Sequence, residues 1–440
     1  MKRAASFVVA AAAIAATVGL SPHPPSGADG PRGGGAASAR PAARADGSGQ
    51  WTDTWASMPQ LTEPGNMPPA PFTQSDRVFD NATLRQTVHV GVGGKRIRLR
   101  LSNAFGGADL PVTAVSVARP ADGKAGVGAI VPGSSRRVTF GGQPGFDIPQ
   151  GAQAVSDPLD FDVAPGSNLT VTLYLAHGQA STAITSHPGS RTTSHLLAGD
   201  HLDDADLPGA TTVDHWYFLS GLEVWSRPTA SATVVLGDSL SDGRGSTTNG
   251  NDRWPDRLRS RLASRPGTAD IAVVNEAAGG NRVLRDGLGP NALARLDRDV
   301  LARSGVDRLI VFEGVNDIGT AGTSEADARR IAAELIGAYR QIVTRAHAQG
   351  IRVYGATLTP FGGNGYDDPA GAHESARQQV NQWIRTGGGF DAVIDFDRAV
   401  RDPEAPARLR PAYDTGDHLH LNPAGYQALA DAVPVALFHR

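Results

Sequence analysis

The chain of 440 residues contains no cysteine, which excludes disulfide bridges, thiolate metal sites, a cysteine nucleophile and a lipid-modified N-terminal cysteine. Lysine is almost as scarce. Lys2, Lys95 and Lys124 are scattered, and a net charge of -3 offers no basic face of the kind nucleic acid requires, so nucleic acid is not expected as a partner. A long uncharged apolar run occurs only at residues 4–20, behind Lys2 and Arg3, in the pattern of a secretory signal with a positive n-region and an apolar h-region. Such an alanine-rich stretch sits at the low edge of what spans a bilayer. Cleavage and export to the extracellular side are therefore expected over retention, with no stable membrane anchor. Small-x-small sites at Ala37-Ser38-Ala39 and Ala43-Arg44-Ala45 leave the position of the cut open.

What is present divides the chain into parts. Its length exceeds what one core usually serves, so two domains are the expectation. Residues 1–30 are assigned to the signal and 31–50 to a flexible linker, because Pro, Gly, Ala, Ser and Arg supply too little bulky apolar surface to offset chain entropy. Residues 51–228 read as an all-β domain of sandwich or jelly-roll type. There Val88, Val90 and Val92 alternate with polar or small residues, Gly93-Gly94 suggests a turn, and Ile97, Leu99 and Leu101 alternate with arginines, the pattern of a hairpin with one buried face. A second alternation runs through Leu169, Val171, Leu173 and Leu175.

After Pro228 the period changes. Apolar runs at 233–236, 271–274, 309–312, 352–358 and 392–396 alternate with helical segments, the clearest of them at 324–349 with Gly350 as its stop signal. Residues 229–440 therefore read as an α/β domain with a parallel sheet covered on both faces and its ligand site beyond the carboxyl ends of the strands.

Four such strand ends carry chemistry. The run "VVLGDSLSDGRG" places Ser239 just past the first, "NEAAGGN" places Gly279 and Gly280 past the second, and "EGVND" places Asn316 past the third. Near the C-terminus "DHLHLNPAGY" sets Asp417 and His420 before a helix announced by Asn422 as cap and Pro423 at its first position. Alone, Gly-Asp-Ser is ordinary turn composition.

Taken together, Gly237-Asp238-Ser239-Leu240, the Gly279/Gly280 pair, Gly314-Val315-Asn316-Asp317 and Asp417-His418-Leu419-His420 resemble, in order, the four signature blocks of the SGNH/GDSL hydrolase superfamily. The resemblance covers residues 233–440. It implies a flavodoxin-like three-layer α/β/α hydrolase domain that needs no cofactor and cleaves carboxylic esters. It assigns Ser239 as nucleophile, His420 as base and Asp417 as the carboxylate that orients it, and makes the Ser239 N–H, the Gly280 N–H and the Asn316 amide the oxyanion hole. Gly280 fits the family's glycine better than Gly279, which would serve the turn.

The residue types suit those roles. A serine hydroxyl is a poor nucleophile until a base takes its proton, and an imidazole can accept that proton and return it to the leaving alkoxide. Serine between Gly237 and Ser241 lacks the second glycine of the Gly-x-Ser-x-Gly elbow, which departs from the α/β-hydrolase fold. Asp417, His418 and His420 could offer metal ligands, but zinc needs at least three and no other histidine cluster is apparent, so no metal is expected and His418 reads as a structural or rim residue. Asp238 and Asp317 read as loop-capping carboxylates and Arg282 as a solvated arginine. The expected substrate is a short-chain or O-acetyl ester, in a small molecule, an acylated carbohydrate or a lipid, since no apolar lid insertion is evident between the blocks. A lipase or phospholipase for longer acyl chains and a non-catalytic glycan-binding protein are the alternatives. Trp51, Trp55, Trp216 and Trp225 could be core or sugar platform.

Overall fold

A computed structural model describes residues 48–439, so the signal segment and most of the linker lie outside the described residues. The regular elements of residues 50–226 are almost all antiparallel strands, most of them in two main sheets. One sheet runs Gln50–Ala56, Leu219–Ser226, Gly94–Ser102 and Leu159–Val163, with Gln153–Val155 also paired to Gly94–Ser102. The other runs Thr211–Val213, Ser194–Ala198, Ala82–His89, Asn168–Leu175, Ala114–Ala118 and Arg136–Val138. One hydrophobic core draws on both sheets, through Leu84, Val171 and Leu173 from one and Ile97, Leu99 and Leu222 from the other. Trp55 and Trp216 belong to that core, edge to face at 4.8 Å, and are not a sugar platform.

The expected hairpin at Gly93-Gly94 does not form. Ala82–His89 and Gly94–Ser102 lie in different sheets. The segment between them crosses over instead of turning back, because the Val90 N–H donates to the Ser167 carbonyl at 2.8 Å and the Gly91 N–H to the Thr54 carbonyl at 3.0 Å. Alternation showed that each strand has a buried face. It could not show that the two strands serve different sheets.

The remainder is a five-stranded parallel sheet in the order Ile271–Asn275, Ser231–Gly237, Val306–Phe312, Arg352–Ala356, Ala392–Ile394. By chain order this is 2-1-3-4-5, the flavodoxin-like arrangement, in which ligands bind where the first and third strands diverge. The middles of the central strands, Val234-Val235-Leu236 and Leu309-Ile310-Val311-Phe312, are buried apolar runs, as expected where both faces of a parallel sheet are covered. The long helix spans Glu325–His347, and Ser324 starts it with a capping box in which its side chain accepts from Asp327 N. A further helix, Pro423–Ala432, is capped by Asn422, whose side chain accepts from Ala424 N and Gly425 N. Among the described residues no helix is long and apolar enough to cross a membrane.

Hydrophobic cores of the β region and of the parallel sheet are distinct, but buried polar contacts tie the two regions together. Ser304 N donates to Asp53 Oδ2 at 2.8 Å, Ser304 Oγ to Glu223 Oε1 at 2.6 Å, and Arg259 Nε to the Gly91 carbonyl at 2.8 Å. Burial raises the Asp53 carboxyl to about 6 and Glu223 raises it too, although Arg303 and Arg100 pull the other way. These contacts fall at Ser304, just before the start of the strand Val306–Phe312, and on the helix Trp254–Ala263.

Candidate active site

Strand Ser231–Gly237 ends at Gly237, Asp238 is extended, and Ser239 opens a one-turn helix, Ser239–Asp242. Asp238 caps that turn, its carboxylate accepting from Leu240 N at 2.9 Å. Burial raises the Asp238 carboxyl to about 7, with the Asp317 and Asp242 charges adding to the effect. A helix start leaves its first N–H groups without intrahelical acceptors. The Ser239 N–H has no acceptor among the described residues and is free for a ligand.

Ser239 Oγ lies 2.8 Å from His420 Nε2, and His420 Nδ1 lies 2.6 Å from Asp417 Oδ2. His420 is placed by a tight loop closed between Asp414 and Leu421, in which the His420 N–H donates to Asp417 Oδ1 at 2.8 Å. Burial would raise the Asp417 carboxyl, but donors from His420 and Leu419 outweigh it and hold this group well below the usual carboxylate range. Burial lowers the proton affinity of His420, Asp417 opposes this, and the charges of Arg244 and Arg191 lower it further, so the imidazole sits below its ordinary value. A neutral, oriented imidazole bonded to a hydroxyl is what a general base requires.

Asn316 comes from the short helix Val315–Gly319 beyond the strand Val306–Phe312. Its Nδ2 donates to the Asn281 carbonyl at 2.8 Å and its Oδ1 accepts from Tyr366 Oη at 2.8 Å, which fixes the amide orientation and leaves one N–H unspent. Gly279 and Gly280 differ in what their N–H groups do. The Gly279 N–H donates to Asp242 Oδ2 at 3.1 Å, whereas the Gly280 N–H has no acceptor among the described residues. Gly280 has φ 69°, a left-handed conformation open to glycine, and a Cβ there would meet Leu288 Cδ1 at 2.7 Å.

Asp317 braces the glycine loop, accepting from Val283 N at 2.8 Å and Leu284 N at 3.0 Å. His418 is an exposed residue held by Asp414 at 2.7 Å. Arg282 turns away, with Nη1 3.4 Å from Thr320 Oγ1 and Nη2 bonded to the Asp286 carbonyl. All five residues assigned from the sequence therefore meet: Ser239, Gly280, Asn316 and His420 line one cavity of about 520 Å³, with Asp417 behind His420.

Other lining residues were not found from the sequence. Gln60, Glu63, Asn66, His187, Arg191 and His215 reach the cavity from the β region. His187 Nε2 bonds Asp242 Oδ1 at 2.9 Å and its Nδ1 bonds the Met58 carbonyl at 3.0 Å, joining the β region to the helix that carries Ser239. No local spacing signals a partner 55 residues away in the chain.

The chain matches the GDSL-like Lipase/Acylhydrolase family over residues 235–428, a span holding all five of these residues. The C-terminal region is a GDSL-like lipase/acylhydrolase domain. By class the protein is a carboxylic ester hydrolase. Solved structures similar to the GDSL domain include a catalytic mutant of an acetylxylan esterase from Geobacillus stearothermophilus, at 22% identity and TM-score 0.35, covering 46% of this chain and 93% of that one. A GDSL-like lipase from Bacteroides thetaiotaomicron VPI-5482 aligns at 16% identity and TM-score 0.33, covering 47% and 87%. An alpha/beta hydrolase enzyme from the metagenome of Lake Arreo, Spain, aligns at 19% identity and TM-score 0.35, covering 47% and 94%. No curated protein matches the chain.

Proposed function

We propose that the protein is a secreted serine esterase that cleaves short-chain or O-acetyl esters through an acyl-enzyme on Ser239. The observation that carries this reading is the unbroken hydrogen-bonded chain from Ser239 through His420 to Asp417 at the wall of the cavity. Export is inferred from Lys2, Arg3 and the apolar run behind them.

In this mechanism His420 Nε2 takes the Ser239 proton as Oγ attacks the ester carbonyl, and Asp417 steadies the imidazolium that forms. Negative charge develops on the carbonyl oxygen, where the Ser239 N–H, the Gly280 N–H and the remaining Asn316 N–H converge as donors. His420 then returns the proton to the leaving alkoxide, freeing the alcohol and leaving the acyl group on Ser239. Water then attacks the acyl carbonyl while His420 accepts its proton, and as the bond from the carbonyl carbon to Ser239 Oγ breaks His420 returns that proton to Oγ and the carboxylic acid departs.

Most of the residues that line the cavity carry polar side chains, and Leu288 and Leu419 are its large aliphatic members, which supports small acyl groups on a polar alcohol. Hydrolysis of p-nitrophenyl esters from acetyl to palmitoyl tests the reading. Activity should peak at the short end and vanish in Ser239→Ala. A maximum at long chains would instead establish the lipase reading, and unchanged turnover in Ser239→Ala would remove Ser239 from the reaction.

A further inference from the structure

Two guanidinium groups in the cavity are unused by the ester chemistry. Arg191 arrives from the β region with a left-handed backbone, φ 50°, and its carbonyl accepts from Asn249 N at 2.8 Å. Arg191 Nε is buried without a hydrogen-bond partner. Arg244 arrives from the turn after Ser239–Asp242, its N–H donating to the Ser239 carbonyl at 3.1 Å and its own carbonyl accepting from Tyr426 Oη at 2.7 Å. Its backbone is thus fixed from both sides while its side chain stands in the cavity. Neither guanidinium has a carboxylate partner among the described residues.

Buried arginines elsewhere have carboxylate partners, as Arg295 with Asp299 at 3.3 Å and Arg377 with Asp397 at 2.8 Å. Arg191 is half-buried and its Nε is a buried donor left unsatisfied, which is costly unless something else occupies it, whereas Arg244 is exposed. The carboxylates that line the cavity are engaged already. Glu63 accepts from Gln60 and Asn66, each at 2.6 Å, Asp214 accepts from Thr193 Oγ1 at 2.9 Å, and Asp242 is held by His187 and the Gly279 N–H. An external anion would complete both arginines.

The half of the substrate is also defined. Both arginines line the cavity that holds Ser239 and His420, and an acetyl or other short acyl group carries no charge, so an anion bound beside them belongs to the alcohol half of the substrate. Guanidinium forks match carboxylate and phosphate oxygens two bonds at a time.

We propose that Arg191 and Arg244 form an anion subsite for the alcohol half of the substrate, so that the preferred esters are those of alcohols bearing a negative charge, as in an O-acetylated sugar carboxylate or sugar phosphate. The proposal rests on the esterase reading. It makes the β region a direct contributor to substrate choice, since it supplies one of the two arginines.

Three acetyl esters test it: an O-acetylated methyl glucoside, the corresponding methyl glucuronide, and the 6-phosphate. For each protein the readout is the ratio of kcat/KM on a charged ester to that on the neutral one. The wild type should favour at least one charged ester by about tenfold to a hundredfold, the range of charge-assisted hydrogen bonds. Arg191→Gln and Arg244→Gln should each cut the ratio several-fold, the double variant should bring it near one, and lysine at either position should restore part of it. Which charged ester is preferred assigns carboxylate or phosphate.

Direct binding separates this proposal from the reading beneath it. In Ser239→Ala, methyl glucuronide and glucose 6-phosphate are titrated calorimetrically, with and without Arg191→Gln. Ser239-dependent turnover with equal rates on neutral and charged esters overturns the subsite and leaves the esterase standing. Absence of turnover on every ester, together with arginine-dependent binding of either anion, overturns the esterase reading and the assignment to an alcohol half.

Discussion

Replacing Tyr366 by phenylalanine removes one oxygen atom, the one that donates to Asn316 Oδ1 at 2.8 Å. The Asn316 amide would still be held on its other side by the Asn281 carbonyl, so it should loosen, not leave. A neutral hydrogen bond of this kind contributes about 0.5–1.5 kcal/mol net. If that loss falls on the transition state, where the oxyanion needs the amide in place, kcat should drop by about threefold to tenfold, since 1.4 kcal/mol is a factor of ten. KM should change little, because the ground-state carbonyl gains less from the donor. Deleting the donor itself, Asn316→Ala, should cost about 10²–10³. Steady-state hydrolysis of p-nitrophenyl acetate by wild type, Tyr366→Phe, Asn316→Ala and the double variant closes the cycle. Tyr366 acts through Asn316, so once Asn316 is alanine, Tyr366→Phe should cost almost nothing more. A double variant slower than Asn316→Ala by the full factor seen for Tyr366→Phe alone would refute the reasoning and place Tyr366 on the substrate.

The acid limb of kcat/KM against pH should reflect His420, which must be neutral to act, so activity should rise with pH through an apparent value below 6.5; Asp417→Asn should lower that value further by removing the charge that favours the imidazolium. A limb above 6.5 would contradict this. The Asp53 carboxyl, raised by burial from 3.8 to about 6, favours the fold at acidic pH, and about 3 kcal/mol of that stabilisation is lost as pH rises through this window. Asp53→Asn should therefore flatten the pH dependence of the unfolding midpoint between about 4 and 6, and an unchanged slope would count against it. The division at 228/229 is proposed from the separate cores. Residues 229–440 expressed alone should unfold cooperatively at a lower temperature than the full chain, having lost partners such as Asp53 and His187, and a fragment without a cooperative transition would move the boundary.

Residues 229–440 were legible because each signal was local. A parallel strand buried on both faces reads as a continuous apolar run, a helix start shows its cap, and Ser239, Gly280, Asn316 and His420 each lie within a few residues of such an element. Gly350 as the stop of the long helix and Asn422 with Pro423 as the start of the last one worked in that way. The β region was harder, because alternation reports a buried face without naming the sheet it belongs to, as the crossing at Val90 and Gly91 illustrates. Tyr366, His187 and Arg191 escaped detection for a further reason. Each acts on a residue distant in the chain, through a contact that exists only once the fold brings the segments together.

The central claim, that Ser239 is the nucleophile, is tested most directly by treating the full chain with a serine-directed organophosphonate and mapping the adduct by peptide mass spectrometry. The account predicts one adduct, on Ser239, formed as esterase activity disappears, with activity indifferent to a metal chelator. Modification at any other residue with loss of activity, or activity removed by the chelator alone, would contradict it.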